Sequence, residues 1–270
     1  MQMDFITGEK IQELCDLYFG EQEDFDWNPH ITLQKDKHRR ISEIISFDNP
    51  RLIFCYPTRL NQLFEKIEFF NNPFILVSHN SDFTINVFHP ILESEKLIHW
   101  FSQNVNFLHP KLTNIPIGLA NSQWGHGNLN AWNALLVSEK KGVYFYFNID
   151  TNPGPRNECR DILVRKGLQF GNFLWLHDYI NTLSSSKYSI SPIGNGIDSH
   201  RIWESLYAKT IPICIRSVHT ELLAKDYPII LLDSWESFDI NNLPELEFTD
   251  EVMRKLSFEY YNHLISNKLL

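Results

Sequence analysis

The chain has 270 residues, 43% of them hydrophobic and 14% aromatic, enough apolar surface for one large or two small packed domains and too much for a disordered segment. Its formal net charge of −9 argues against a sequence-independent nucleic-acid binder, which needs a basic surface, but leaves room for a local basic pocket. Cys15, Cys55, Cys159 and Cys214 are scattered with no Cys-x-x-Cys pair, the pattern of free thiols in a reducing compartment rather than of a disulfide framework.

The first ten residues lack a basic start followed by an apolar stretch, and no apolar run approaches the roughly 20 residues that span a bilayer. A soluble, cytoplasmic protein is the expectation. Ile11, Leu14, Leu17 and Tyr18 recur at helical spacing and predict a helix over residues 9–19. Residues 20–40 are polar and mixed, a loop or a short helix. Arg51–Tyr56 reads as a strand, and a helix beginning at Thr58 carries Leu60, Leu63, Phe64 and Ile67. Phe74–Ser78 is a second buried strand that runs into the polar stretch His79-Asn80-Ser81-Asp82. Residues 92–103 read as a helix, and a further strand and loop lead to Ile115-Pro-Ile-Gly118. The polar run Ser138-Glu-Lys-Lys-Gly142 marks a junction between a domain over residues 1–140 and another over 141–250.

From residue 143 the pattern is regular. Strands fit 143–148, 170–174, 187–191, 211–215 and 228–232, with helices over 155–166, 176–185, 198–208 and 218–225 between them. Strands alternating with helices predict an α/β domain with a parallel sheet, and continuously apolar strands predict helices on both faces. Ligands of such sheets bind beyond the carboxyl ends of the strands, where the loops 148–156 and 192–200 fall. Residues 250–268 read as a last amphipathic helix, with Val252, Leu256, Tyr260 and Leu264 on one side. The tail 251–270 either caps its own domain or crosses back to the first.

The segment Ser189–Cys214 carries the densest chemistry. Gly194, Asn195 and Gly196 form a loop that can bring backbone close to a ligand, and Asp198 or Ser199 can cap the helix that follows. His200 and Arg201 then sit in the first helical turn, where the macrodipole disfavours positive charge unless an anion is bound. Glu204, three residues after Arg201, shares its face. An arginine for phosphate and a carboxylate for ribose hydroxyls together suit a nucleotide-sugar. Arg156 repeats the arrangement, following the rigid turn Asn152-Pro-Gly-Pro155 at another helix start. Asn148 and Thr151 stand at the preceding strand end, able to touch donor or acceptor. No His and Cys cluster has zinc spacing, and no metal is expected.

This segment resembles the signature of exostosin-like glycosyltransferases, in which a Pro-x-Gly loop precedes an Arg-x-x-Glu helix and a small Ile-Pro-Ile strand. Val143–Arg156 and Asn114–Asn128 are similar to stretches of short exostosin-like proteins of large DNA viruses and some microbes. The resemblance covers roughly residues 70 to 265 and is most specific from 187 to 215. It implies a GT-B fold, two Rossmann-like domains facing a cleft, with the nucleotide held by the C-terminal one and Glu204 on the ribose. It further implies an inverting, metal-independent transfer from a UDP-sugar, a pentose such as xylose among the choices, to a glycan or glycoprotein acceptor. No cofactor is required. The base that deprotonates the acceptor should come from the N-terminal domain, where Asp82, His79 and His126 are the candidates. Asn80 and Trp124 are candidate acceptor contacts, Trp124 as a stacking surface for a sugar ring or else as a core residue. The alternative is a non-catalytic nucleotide- or glycan-binding module with the same fold.

Overall fold

A computed structural model of the chain describes residues 3–21, 23–24, 37–40, 51–135 and 139–269. They form two compact α/β units. The first comprises Ile6–Gly127 and Ser257–Leu270, and the second residues 3–5 and Asn128–Leu256.

The first unit contains six strands: β1 (Leu17–Gly20), β2 (His38–Arg40), β3 (Leu52–Cys55), β4 (Phe74–Ser78), β5 (Leu97–Ser102) and β6 (Leu112–Asn114). All pair in parallel in the order β2-β1-β3-β4-β5-β6. The direction of winding reverses between β1 and β3. β3 and β4 are buried along their whole length, as central parallel strands with both faces covered must be. One face carries Phe54, Ile75, Val77 and Phe101, and onto it pack Tyr261 and Ile265 of the helix Phe258–Ser266. These two side chains lie four residues apart and so on one helical face.

The second unit is built on β7 (Val143–Tyr144), β8 (Tyr188–Ile190), β9 (Ile211–Ile215) and β10 (Ile230–Leu232), parallel and in simple sequential order with β7 at one edge. Cys159, Ile162 and Leu163 of the helix Pro153–Arg165 pack with Tyr188, Ile190, Ile211 and Ile213. The alternate residues of β8 face the other way, where Ser189 Oγ meets Ser205 Oγ of the helix His200–Tyr207 at 2.7 Å. Small side chains on both partners let helix and strand approach closely.

Several expectations are corrected. Residues 97–102 are a strand, not part of a helix, because Trp100, Phe101 and Ser102 pair with β4 on one side and β6 on the other. Leu17 and Tyr18 belong to β1, the first helix ending at Glu13. β2 arises inside the stretch read as loop or short helix, most of which lies outside the described residues. The stretch 250–268 is two helices, Asp250–Lys255 and Phe258–Ser266, because Ser257 leaves helical geometry and caps the second through Tyr260 N at 3.2 Å. The change of unit falls at Gly127 and again at Ser257. Residues 170–174 form no strand, and the ladder of β7 stops at Tyr144 although 145–148 run on beyond it. The reason for that last difference lies in the candidate site.

Candidate functional site

Beyond Tyr144 the chain has left its ladder with β8, so its carbonyl groups need other donors. Phe145 O accepts from Gly171 N at 2.8 Å. Tyr146 O accepts from Arg201 Nη1 at 2.6 Å, and Asn148 O accepts from Arg156 Nη1 at 2.6 Å. Two guanidinium groups thus take the place of a strand at the carboxyl end of β7. Aromatic alternation sets the faces. Phe145 and Phe147 enter the core beneath the helix Pro153–Arg165, while Tyr144 turns to the face of the helix His200–Tyr207.

Arg156 lies in the first turn of its helix and is 7% exposed. Its Nε donates to Ile193 O at 2.9 Å, its guanidinium stands 5.7 Å from the Phe147 ring centroid, and it pairs with no carboxylate among the described residues. Burial, and then the like charge of Arg201, lower its pKa to about 10. A desolvated cation beside a second cation is costly unless an anion offsets it.

Arg201 is folded inward. Its guanidinium lies 4.9 Å from the ring centroids of both Tyr144 and Tyr179, and its Nε is 3.4 Å from Glu204 Oε2. Burial opposes the charge, but Tyr179, Glu204 and Tyr144 outweigh it and hold the pKa above the ordinary arginine value. The same Glu204 oxygen accepts from Tyr179 Oη at 2.5 Å. Glu204 is therefore tied into a tyrosine–carboxylate–arginine cluster rather than projecting free for ribose hydroxyls.

The loop between β8 and the next helix is held by its backbone. Asn152 Nδ2 donates to Gly194 O at 2.7 Å, and Gly194 N donates to Gly196 O at 3.1 Å. Neither glycine has a positive φ. A Cβ at Gly194 would meet Arg156 Nη2 at 3.5 Å, an ordinary van der Waals contact, so space does not demand glycine there either. Asn195 is exposed at the loop tip and His200 half-buried. The cap is Ser199, whose Oγ accepts from Arg201 N at 3.3 Å. Asp198 is turned away, accepting from Trp203 Nε1 at 2.8 Å beside His219. It is part of the core and not a ligand group. Asn148 is exposed and caps the short turn Ile149–Thr151 through Asp150 N, with Thr151 half-buried one residue on.

The remaining candidates belong to the first unit. His79 is fully buried at the carboxyl end of β4, with Nε2 2.9 Å from Pro116 O and Nδ1 3.3 Å from Asn80 Oδ1. Asn80 adopts φ 56° and is held by Gly8 O, Gln12 Oε1 and Asn121 Nδ2. Burial removes His79 as a group that could touch an acceptor. Asp82, in contrast, is exposed and has no hydrogen-bond partner among the described residues. Trp124 and His126 are exposed on the loop after Asn121, so Trp124 is not a core residue.

Tyr144, Tyr146, Tyr179 and Asn152 were not singled out in the sequence. The Tyr-Phe-Tyr-Phe alternation at 144–147 was the available signal for the first two, and nothing local marked Tyr179. The sequence also holds one Asp-x-Asp, Asp24-Phe25-Asp26. Asp24 is bound to Arg59 Nε at 2.9 Å, and Asp26 lies outside the described residues. Among the described residues no group of three or more His, Cys, Asp or Glu side chains could hold a metal, and no helix is long and apolar enough to cross a membrane.

No protein-family model matches this chain, and no curated protein matches it either.

Proposed function

We propose that the chain is a glycosyltransferase of the GT-B type that moves a sugar from a UDP-sugar to a glycan acceptor, with inversion and without a metal. The observation that carries this reading is the pair Arg156 and Arg201 at the carboxyl end of β7. Arg156 is buried, has no carboxylate partner among the described residues, and lies against the loop that leads into the helix His200–Tyr207, donating to Ile193 O. A diphosphate there would offset the charge of Arg156, whose Nη2 is the guanidinium nitrogen not given to Ile193 O or Asn148 O. Arg201 and Glu204, locked together with Tyr179, would hold the carbonyl row of 145–148 in place while Arg156 meets the ligand. In the transfer, the acceptor hydroxyl loses its proton to a base as its oxygen bonds to the sugar carbon. The bond to the diphosphate breaks, and the departing negative charge falls to Arg156. Asp82, exposed and unengaged, suits the base better than the sealed His79, and His126 is the second choice.

The test is binding and turnover together. Without metal, UDP at a hundred times its dissociation constant should raise the unfolding free energy of the protein by about 2.7 kcal/mol. Arg156→Ala should lose that response, and Asp82→Asn should keep it while losing transfer of labelled sugar. A wild-type protein indifferent to UDP, GDP and CMP alike would end the reading.

A further inference from the structure

Between Gly171 and Tyr179 the second unit exposes two large aromatic side chains that its own core leaves uncovered. Phe173 is 63% and Trp175 77% exposed, and their rings meet edge to face with centroids 5.3 Å apart. Two residues apart and with their rings in contact, they stand on the same side of the backbone. Each end of this short stretch is tied to the arginine site. Gly171 N holds Phe145 O, the carbonyl next to the one Arg201 takes, and the ring of Phe170 lies 5.5 Å from that of Tyr146. Trp175 O accepts from Tyr179 N at 2.8 Å, and Tyr179 carries Glu204 and faces Arg201. Two residues of extended chain span at most about 7 Å, and one helical turn rises about 5.4 Å. The aromatic pair is therefore held within a few residues of both anchors of the cationic site.

Resting on the anion-site reading above, we infer that Phe173 and Trp175 form the stacking platform for the base of a nucleoside diphosphate whose phosphates lie at Arg156. The ligand so described is amphipathic in the same order as the protein surface: a flat apolar base, then a ribose, then negative charge. A base stacks on an indole face whatever its hydrogen-bond pattern, so the platform supplies affinity and leaves the choice of base to polar groups elsewhere. Trp175 also sits at the N-cap of the helix Leu176–Ser184.

The experiment is calorimetric titration of UDP and of inorganic pyrophosphate into the wild type, a Phe173→Ala/Trp175→Ala double variant and Trp175→Phe. Both side chains are exposed, so the variants should keep the wild-type unfolding midpoint. UDP should bind the double variant at least tenfold more weakly and Trp175→Phe within about threefold of wild type. Pyrophosphate should bind all three proteins equally. Unchanged UDP affinity in the double variant, or wild-type pyrophosphate binding as tight as UDP, would overturn the platform and leave the anion site standing. Failure of both UDP and pyrophosphate to bind the wild type would remove the anion site as well.

Discussion

Tyr179 donates its phenolic hydrogen to Glu204 Oε2 at 2.5 Å, and through that bond one tyrosine controls how a buried carboxylate is shared with Arg201. Tyr179 is 8% exposed and Glu204 6%, so the oxygen has few alternatives if the hydroxyl is removed. Tyr179→Phe keeps the ring beside Arg201 and deletes only the hydrogen bond. It should lower the unfolding free energy by about 1–3 kcal/mol in urea titration. A loss below about 0.5 kcal/mol would mean that Glu204 finds another donor.

Arg156 uses two nitrogens at once, on Ile193 O and Asn148 O. A lysine keeps the charge but presents a point rather than a fork. Arg156→Lys should therefore weaken UDP binding roughly tenfold, a loss of about 1.4 kcal/mol, by isothermal titration. Affinity equal to wild type would show that charge alone suffices.

His99, on β5, is 5% exposed, with Nε2 2.8 Å from Thr113 Oγ1. Burial first, then Lys268 and Lys111, lower its pKa from 6.5 to about 4. In the unfolded chain the imidazole takes its proton near 6.5, in the folded protein only near 4. Between those values the unfolded state binds more protons, so stability falls as pH drops through 6.5, and the loss is complete below about 4. The expected cost is about 3 kcal/mol between pH 7 and 4. His99→Gln should flatten that part of the profile in denaturant titrations at several pH values, and an unchanged slope would contradict it.

All four cysteines are buried and unpaired, and burial raises each thiol above its ordinary value. A thiolate reagent at pH 8 should leave the native protein unmodified and label all four sites in denaturant. Rapid labelling of any one under native conditions would contradict its burial.

Gly8 packs against the His79–Asn80 corner so closely that a Cβ would lie 1.7 Å from Asn80 Oδ1. That amide is held on three sides, so it cannot step aside. Gly8→Ala should cost more than about 2 kcal/mol, whereas Gly125→Ala, with open space around it, should stay within about 0.5 kcal/mol. Equal midpoints for the two variants would contradict the close approach.

The sequence alone determined that the half from residue 143 is α/β with parallel strands, because strands alternate there with helices and continuous apolar runs such as Ile211–Ile215 are the mark of strands covered on both faces. It also marked Arg156, Arg201 and the loop of Gly194 and Gly196, since cations at helix starts conflict with local electrostatics wherever they occur. Tertiary structure alone decided the rest. Trp100 and Phe101 could have packed on a helix, and they form a strand because β4 and β6 offer hydrogen-bond partners distant in sequence. Residues 145–148 have strand composition but no strand beside them, so the arginines serve their carbonyls instead. Tyr179 reaches Glu204 across 25 residues, and Asp198 turns to Trp203 and His219 rather than to solvent. Periodicity reports which face of an element is apolar. Which polar groups on the other elements will meet it is a property of the packed chain.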